Sequence, residues 1–252
     1  METITNFRDL GGLINRQGQK IAAKKILRSG ELSRVSESEQ EILANDFRLQ
    51  KIIDLRSLEE VTKRPDKVFA AAEYVHIDIF KQIHDEGASL EDFVRIGSIE
   101  RSKAYMNEIY QTMAVNPGAQ AGFTQMIETA LSVAEDHSFL FHCFAGKDRT
   151  GISAALLLEI LEIPRETIYQ DYLATNQLRV KENQELIQTA VANGADPGAV
   201  AALNVALTVE SEFLDTFYQT VQQEFGDLGA YLADTLRISS NMQKDLRALL
   251  LD

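Results

Sequence analysis

The 252-residue chain is 45% hydrophobic, enough to bury a substantial core as one large domain. No stretch approaches the roughly 18 uninterrupted apolar residues of a membrane span, and the N-terminus lacks the basic-then-apolar order of a secretion signal. A cytoplasmic protein without stable membrane insertion is therefore expected, with unconventional secretion left open. The formal charge of −13 repels nucleic acid and anionic surfaces, so any anion site must be local.

In chain order, Asp9 precedes Gly11-Gly12, a pair that usually marks a turn; the alternative is that Arg8 or Asp9 lines a site. "SESEQEILANDF" at 36–47 opens with Ser36 and Glu39 at capping-box spacing and reads as a helix. "KIIDL" at 51–55 and "YVHIDI" at 74–79 are short apolar runs that read as buried strands. Asp54 and Arg56, two apart on a strand, share a face and suit either an ion pair or substrate contact. "AGFTQMIETALSVAED" at 121–136 repeats apolar residues three and four apart, as a helix does. "SFLFHC" at 138–143 reads as a third strand.

"GISAALLLEILEI" at 151–163 is apolar nearly all round and reads as a buried helix ended by Pro164. Beyond it the chain reads as helical throughout, over 165–176, 180–194, 196–226 and 242–252. "GAVAALNVAL" at 198–207 suits packing within that region, with a covering role over a site as the alternative. Strands alternating with helices imply an α/β fold with a mainly parallel central sheet flanked by helices and a helical C-terminal third. Ligands bind such sheets beyond the carboxyl ends of the strands, where Asp54, Asp78 and Cys143 are expected. No repeat or linker divides the chain, so residues 1–252 read as one domain.

The lone cysteine, Cys143, cannot form an internal disulfide and suits a reducing compartment. It stands where a strand gives way to a glycine-bearing turn before a helix. Backbone amides converging on such a turn stabilise a thiolate and also fit the oxygens of a phosphate. Phe144, Ala145, Gly146, Lys147, Asp148 and Arg149 supply those amides. The Arg149 fork can hold two phosphate oxygens, Thr150 offers a hydroxyl to the thiolate, and His142 can fix the loop. Together they describe phosphoryl transfer to sulfur. The alternative is a cysteine buried only for packing. A Walker loop is excluded, because "GKD" lacks its Ser or Thr and its first glycine is missing. His76, His84, His137 and His142 form no recognised zinc spacing, so no metal or cofactor is expected.

"HCFAGKDRTG" at 142–151 resembles the signature of the bacterial tyrosine-protein phosphatase family, in the variant with Lys-Asp before the arginine. "NFRDLGG" at 6–12, "LRSGELSRVSESE" at 27–39, "IIDLRSLEEVTKRPD" at 52–66, "DYLATN" at 171–176 and "FGDLGAYLADTLRIS" at 225–239 extend the resemblance in the family's order. It implies a cysteine-phosphatase-like fold, Cys143 as a nucleophile forming phosphocysteine, and Arg149 as the phosphoryl-binding residue. Lys147 and Asp148 match a pair implicated in breadth toward phosphotyrosine, phosphoserine or phosphothreonine, and phosphoinositides. It further implies a phosphorylated protein or peptide substrate, and by analogy a helical insertion at about 178–208 serving as a lid. A phosphoinositide phosphatase and a non-catalytic phosphate-binding module are the alternatives. With no tryptophan in the chain, the Trp-Pro-Asp loop that carries the acid in eukaryotic relatives is absent. Three aspartates could supply the acid instead: Asp148 first, Asp54 second and Asp78 third, unless Asp148 merely braces the loop.

Overall fold

The structure is a computed structural model that describes residues 1–81 and 90–252. His84 lies outside the described residues. Its centre is a five-stranded sheet in the order β1-β2-β5-β3-β4. These strands are β1 (Arg8–Asp9), β2 (Ile26–Ser29), β3 (Leu49–Asp54), β4 (Glu73–His76) and β5 (Ser138–His142). All neighbouring pairs are parallel except β1 with β2, so the expected mainly parallel sheet is present.

Between the strands run α1 (Glu37–Asn45), α2 (Leu58–Lys63), α3 (Leu90–Ile96), α4 (Ile99–Val115) and α5 (Pro117–Leu131). Ser36 and Glu39 cap α1 reciprocally, and Ser57 and Glu60 cap α2 the same way. After β5 follow α6 (Asp148–Ile160), α7 (Arg165–Leu178), α8 (Val180–Ala192), α9 (Pro197–Leu207) and α10 (Ser211–Phe225). The short α11 (Leu228–Ala230) runs into a π-turn, and α12 (Ser240–Leu250) closes the chain.

Strand β5 is buried along its whole length, and α6 is buried nearly all round. This is the pattern of a central parallel strand and of a helix packed on every side. In register, Ser29 of β2 and Asp54 of β3 both stand beside His142. The three strand ends therefore converge where Cys143 begins the loop to α6.

Strands β1 and β2 escape the hydropathy pattern. Half of β2 is Arg28 and Ser29, both wholly buried, so its polar letters conceal a core strand. The helical run expected over 196–226 is two helices. Thr208 is extended, and Asn176 clamps the break by donating to the Val209 carbonyl and accepting from its amide, both at 2.8 Å. Among the described residues no helix is long and apolar enough to cross a membrane.

Candidate active site

Five consecutive carbonyls after β5 are turned outward, and each meets a partner there. The Cys143 carbonyl faces His142 Nδ1 at 3.2 Å, and that of Phe144 accepts from the Glu31 amide at 3.1 Å. The Ala145 carbonyl accepts from Asn6 Nδ2 and Arg179 Nη1, and that of Gly146 from Asn6 Nδ2 and Arg28 Nη2. The Lys147 carbonyl accepts from the Gly151 amide. In a trans peptide the carbonyl of one residue is opposed to the amide of the next. Outward carbonyls at 143–147 therefore aim the amides of 144–148 inward. Among the described residues those amides donate to nothing, which makes a ring of unused donors around Cys143 at the N-terminus of α6.

Gly146 makes the turn possible. Its φ is +65°, and a side chain there would overlap the Ser29 carbonyl.

Cys143 is 2% exposed and lies at the base of the ring. Burial pushes its thiol up, but the Arg149 guanidinium and then the Thr150 hydroxyl and amide outweigh burial and leave it below the ordinary thiol range. Arg149 extends from the first turn of α6. Its Nη1 and Nη2 donate to Glu60 Oε2 and Oε1 at 2.5 and 2.8 Å, and its guanidinium carbon lies 4.8 Å from the centre of the Phe80 ring. A guanidinium carries five N–H donors. Glu60 takes two at the end of the fork, which leaves the Nε edge for an anion. Glu60 is itself the capping residue of α2, and its Oε2 also accepts from the Ser57 amide at 2.8 Å. Burial raises the Glu60 carboxyl and Arg149 more than reverses this, taking it down to about 2. Glu60 is thus a fixed anion that orients Arg149.

Behind the loop, both ring nitrogens of His142 face acceptors: Nδ1 the Cys143 carbonyl, and Nε2 the Asp66 carboxylate at 3.0 Å. Two acceptors call for two ring protons. Burial lowers His142, yet Asp54 and then Asp66 raise it to about 8. Asp54, Asp66 and His142 offer ligand atoms within 4.8 Å of one another. The Arg56 guanidinium bonds both carboxylates, at 2.6 Å to Asp54 and 3.0 Å to Asp66. Two anions face two cations, so the group is balanced by the protein's own charges and fits an ion-pair network rather than a metal seat.

The structure separates the three aspartates. Asp54 ends β3 but is wholly buried, accepting from Arg56 Nε and Nη2 and from the Tyr74 hydroxyl. Both of its oxygens are thus engaged, and the structure places Asp54 and Arg56 in an ion pair. Asp78 accepts from the Phe80 amide on one oxygen and from the Leu58 amide on the other, and so braces the start of α2. Asp148 receives the Tyr110 hydroxyl on Oδ1 at 2.8 Å. Its Oδ2 has no hydrogen-bond partner among the described residues.

Asp9 also moves from site to turn: its oxygens accept from the Gly11 and Lys24 amides. Arg8 acts one step removed, donating to Asn6 Oδ1 at 2.7 Å and to Asp171 Oδ1 at 2.6 Å. The Lys147 ammonium is aimed away from the ring, donating to the Ala206 and Thr208 carbonyls at 2.6 and 3.0 Å. Only its amide faces inward.

Sequence reasoning missed Asn6, Arg28, Glu60, Asp66, Asp171 and Arg179. Glu60 stood at capping-box spacing from Ser57, which marks the helix but not the arginine that the same carboxylate holds.

A family model described as the tyrosine phosphatase family matches residues 1–252. A Cupriavidus necator protein described as a candidate tyrosine-protein phosphatase is 32% identical over 243 residues, covering 94% of this chain and 83% of that protein. The triple specificity protein phosphatase PtpB of Mycobacterium tuberculosis is 30% identical over 276 residues, covering 98% of this chain and 96% of its own.

Proposed function

Given that the chain belongs to the tyrosine phosphatase family and is an enzyme that hydrolyses phosphotyrosine, we propose that Cys143, Arg149 and Asp148 carry the reaction. The observation that bears most weight is the ring of inward amides around a thiol held below its ordinary range. Three phosphoryl oxygens fit that ring and the Nε edge of Arg149. The Cys143 thiolate attacks phosphorus, the bond from phosphorus to the tyrosyl oxygen breaks, and Asp148 Oδ2 gives its proton to the departing oxygen. Water then attacks the phosphocysteine. Asp148 takes a proton from it, the thiolate leaves, and phosphate is released. Asp148 is the acid by elimination: Asp54 and Asp78 have their oxygens bonded elsewhere, and Glu60 is ionised and locked on Arg149.

Three further readings rest on this one. The triple specificity in the name of the tuberculosis relative supports activity beyond phosphotyrosine, and the resemblance carried by Lys147 and Asp148 points to phosphoserine, phosphothreonine and phosphoinositides as the further substrates. The segment at about 178–208, which carries α8 and α9, acts as a lid: Cys143 is buried, and this segment is tied to the loop through Lys147 and Arg179. A lone thiol that must stay reduced favours the cytoplasm.

Phosphate release from phosphotyrosine peptide, phosphoserine peptide and short-chain phosphoinositide, with a chelator present, tests activity and breadth together. Cys143→Ser should abolish turnover while vanadate still binds. Asp148→Asn should slow phosphotyrosine by about a hundredfold and an activated aryl phosphate far less. Equal losses on both substrates would remove Asp148 as the acid.

A further inference from the structure

Two buried tyrosines stand between Asp148 and the protein interior. Tyr110 comes from α4 and Tyr172 from α7, and both are almost fully buried. The Tyr110 hydroxyl donates to Asp148 Oδ1 at 2.8 Å and lies 2.7 Å from the Tyr172 hydroxyl. A phenol has one proton to give. Since that of Tyr110 goes to Asp148, the bond between the two tyrosines must run from Tyr172 to Tyr110. Reversing the chain would send the Tyr172 proton elsewhere, and among the described residues Tyr172 has no hydrogen-bond acceptor other than Tyr110. The Lys147 ammonium also approaches Oδ1, at 3.3 Å. Every donor near this carboxyl thus converges on one oxygen, and the other is left bare.

Burial and then the charge of Asp148 push both phenols well above their ordinary range, so both keep their protons at neutral pH. Room for the pair is built into the loop's own sequence. A Cβ at Gly151 would sit 3.0 Å from Cδ2 and Cε2 of the Tyr172 ring, so glycine there lets the ring reach Tyr110. The neighbour of Tyr172 in the chain, Asp171, pairs with Arg28 and Arg8, and Arg28 holds the Gly146 carbonyl. The "DYLATN" segment thereby fixes the loop through Asp171 and the acid through Tyr172.

We propose that Tyr172 and Tyr110 form a one-way hydrogen-bond relay that positions Asp148, holding Oδ1 as a permanent acceptor so that the catalytic proton resides on Oδ2, facing the leaving group. The proposal rests on the reading of Asp148 as the general acid. Both tyrosines are positioning residues, since neither touches the substrate.

The test measures single-turnover release of the leaving group from phosphotyrosine peptide and from p-nitrophenyl phosphate, for the wild type and for Tyr110→Phe, Tyr172→Phe, Gly151→Ala and Asp148→Asn. Vanadate affinity reports whether the loop is intact. Tyr110→Phe should slow phosphotyrosine by up to about tenfold, the effect of one hydrogen bond. Loss on the activated ester should stay within about twofold, and KM and vanadate affinity should hold. Tyr172→Phe and Gly151→Ala should show the same selectivity in smaller measure. If Asp148→Asn is selective while Tyr110→Phe slows both substrates equally or neither, the relay is wrong and the acid stands. If Asp148→Asn is itself unselective, the acid reading fails and takes the relay with it. Should Tyr110→Phe fail to fold, Tyr172→Phe and Gly151→Ala decide: selective loss supports the relay, and equal loss or none overturns it.

Discussion

Thr150 shows what a single hydroxyl contributes to the nucleophile. Burial opposes the Cys143 thiolate, and the net stabilisation comes from Arg149 together with the Thr150 hydroxyl and amide. Thr150→Val keeps the shape and the amide but removes one donor, so the thiol should rise by about one pH unit. Alkylation of Cys143 followed against pH checks this: the variant's curve should shift toward alkali, and an unshifted curve would take Thr150 out of the account. His142 carries the opposite sign. Its folded value of about 8 lies above the ordinary imidazole value of about 6.5, so the stability it contributes is complete below about 6.5 and is lost as the pH rises through 8. That amounts to about 2 kcal/mol. Thermal melts at pH 6 and pH 9 should show the drop, and Asp66→Asn should diminish it.

At the scale of elements, the start of α2 has two duties. Glu60 Oε2 accepts both the Ser57 amide and Arg149 Nη1, so the reciprocal cap that begins the helix also aims the guanidinium. Ser57→Ala removes the hydroxyl that accepts from the Glu60 amide and should cost about 1 kcal/mol of stability. Because Glu60 then loses part of its anchor, kcat/KM should fall by more than the small loss of folded protein explains. Equal decline in the two would reduce Ser57 to a helix cap alone. Helix α9 is joined to the loop in a comparable way. Its final carbonyls leave no partner within a helix, and the Lys147 ammonium supplies one to Ala206 and Thr208.

For the molecule as a whole, the proposed lid predicts that Cys143, 2% exposed, becomes more accessible when α8 and α9 move. The lone cysteine is therefore a reporter of opening. Lys147→Met removes the tie to α9, and alkylation of Cys143 should accelerate by about tenfold, the effect of releasing a charged hydrogen bond. The comparison belongs at pH 9, where loss of the lysine charge matters least to thiol ionisation. Unchanged alkylation would mean that α8 and α9 do not gate the site.

Much of this protein is legible in its residues alone. "HCFAGKDRTG" declares the loop because thiol, glycine and arginine at that spacing leave few chemistries open, and alternation of apolar strands with helices implies the parallel sheet. Local chemistry of that kind depends on neighbours in sequence. What only the tertiary structure decided depends on residues far apart: Glu60 with Arg149, Asp171 with Arg8 and Arg28, Tyr110 with Asp148, Asp66 with His142. Strand β2 was hidden because its buried arginine is paid for by an aspartate more than a hundred residues away, and no window of sequence contains both. The same holds for the acid. The sequence ranks Asp148 above Asp54 and Asp78, and the physical reason for proposing it comes only from burial and the direction of their hydrogen bonds, since a carboxylate whose oxygens are already bonded has none left to offer a leaving group.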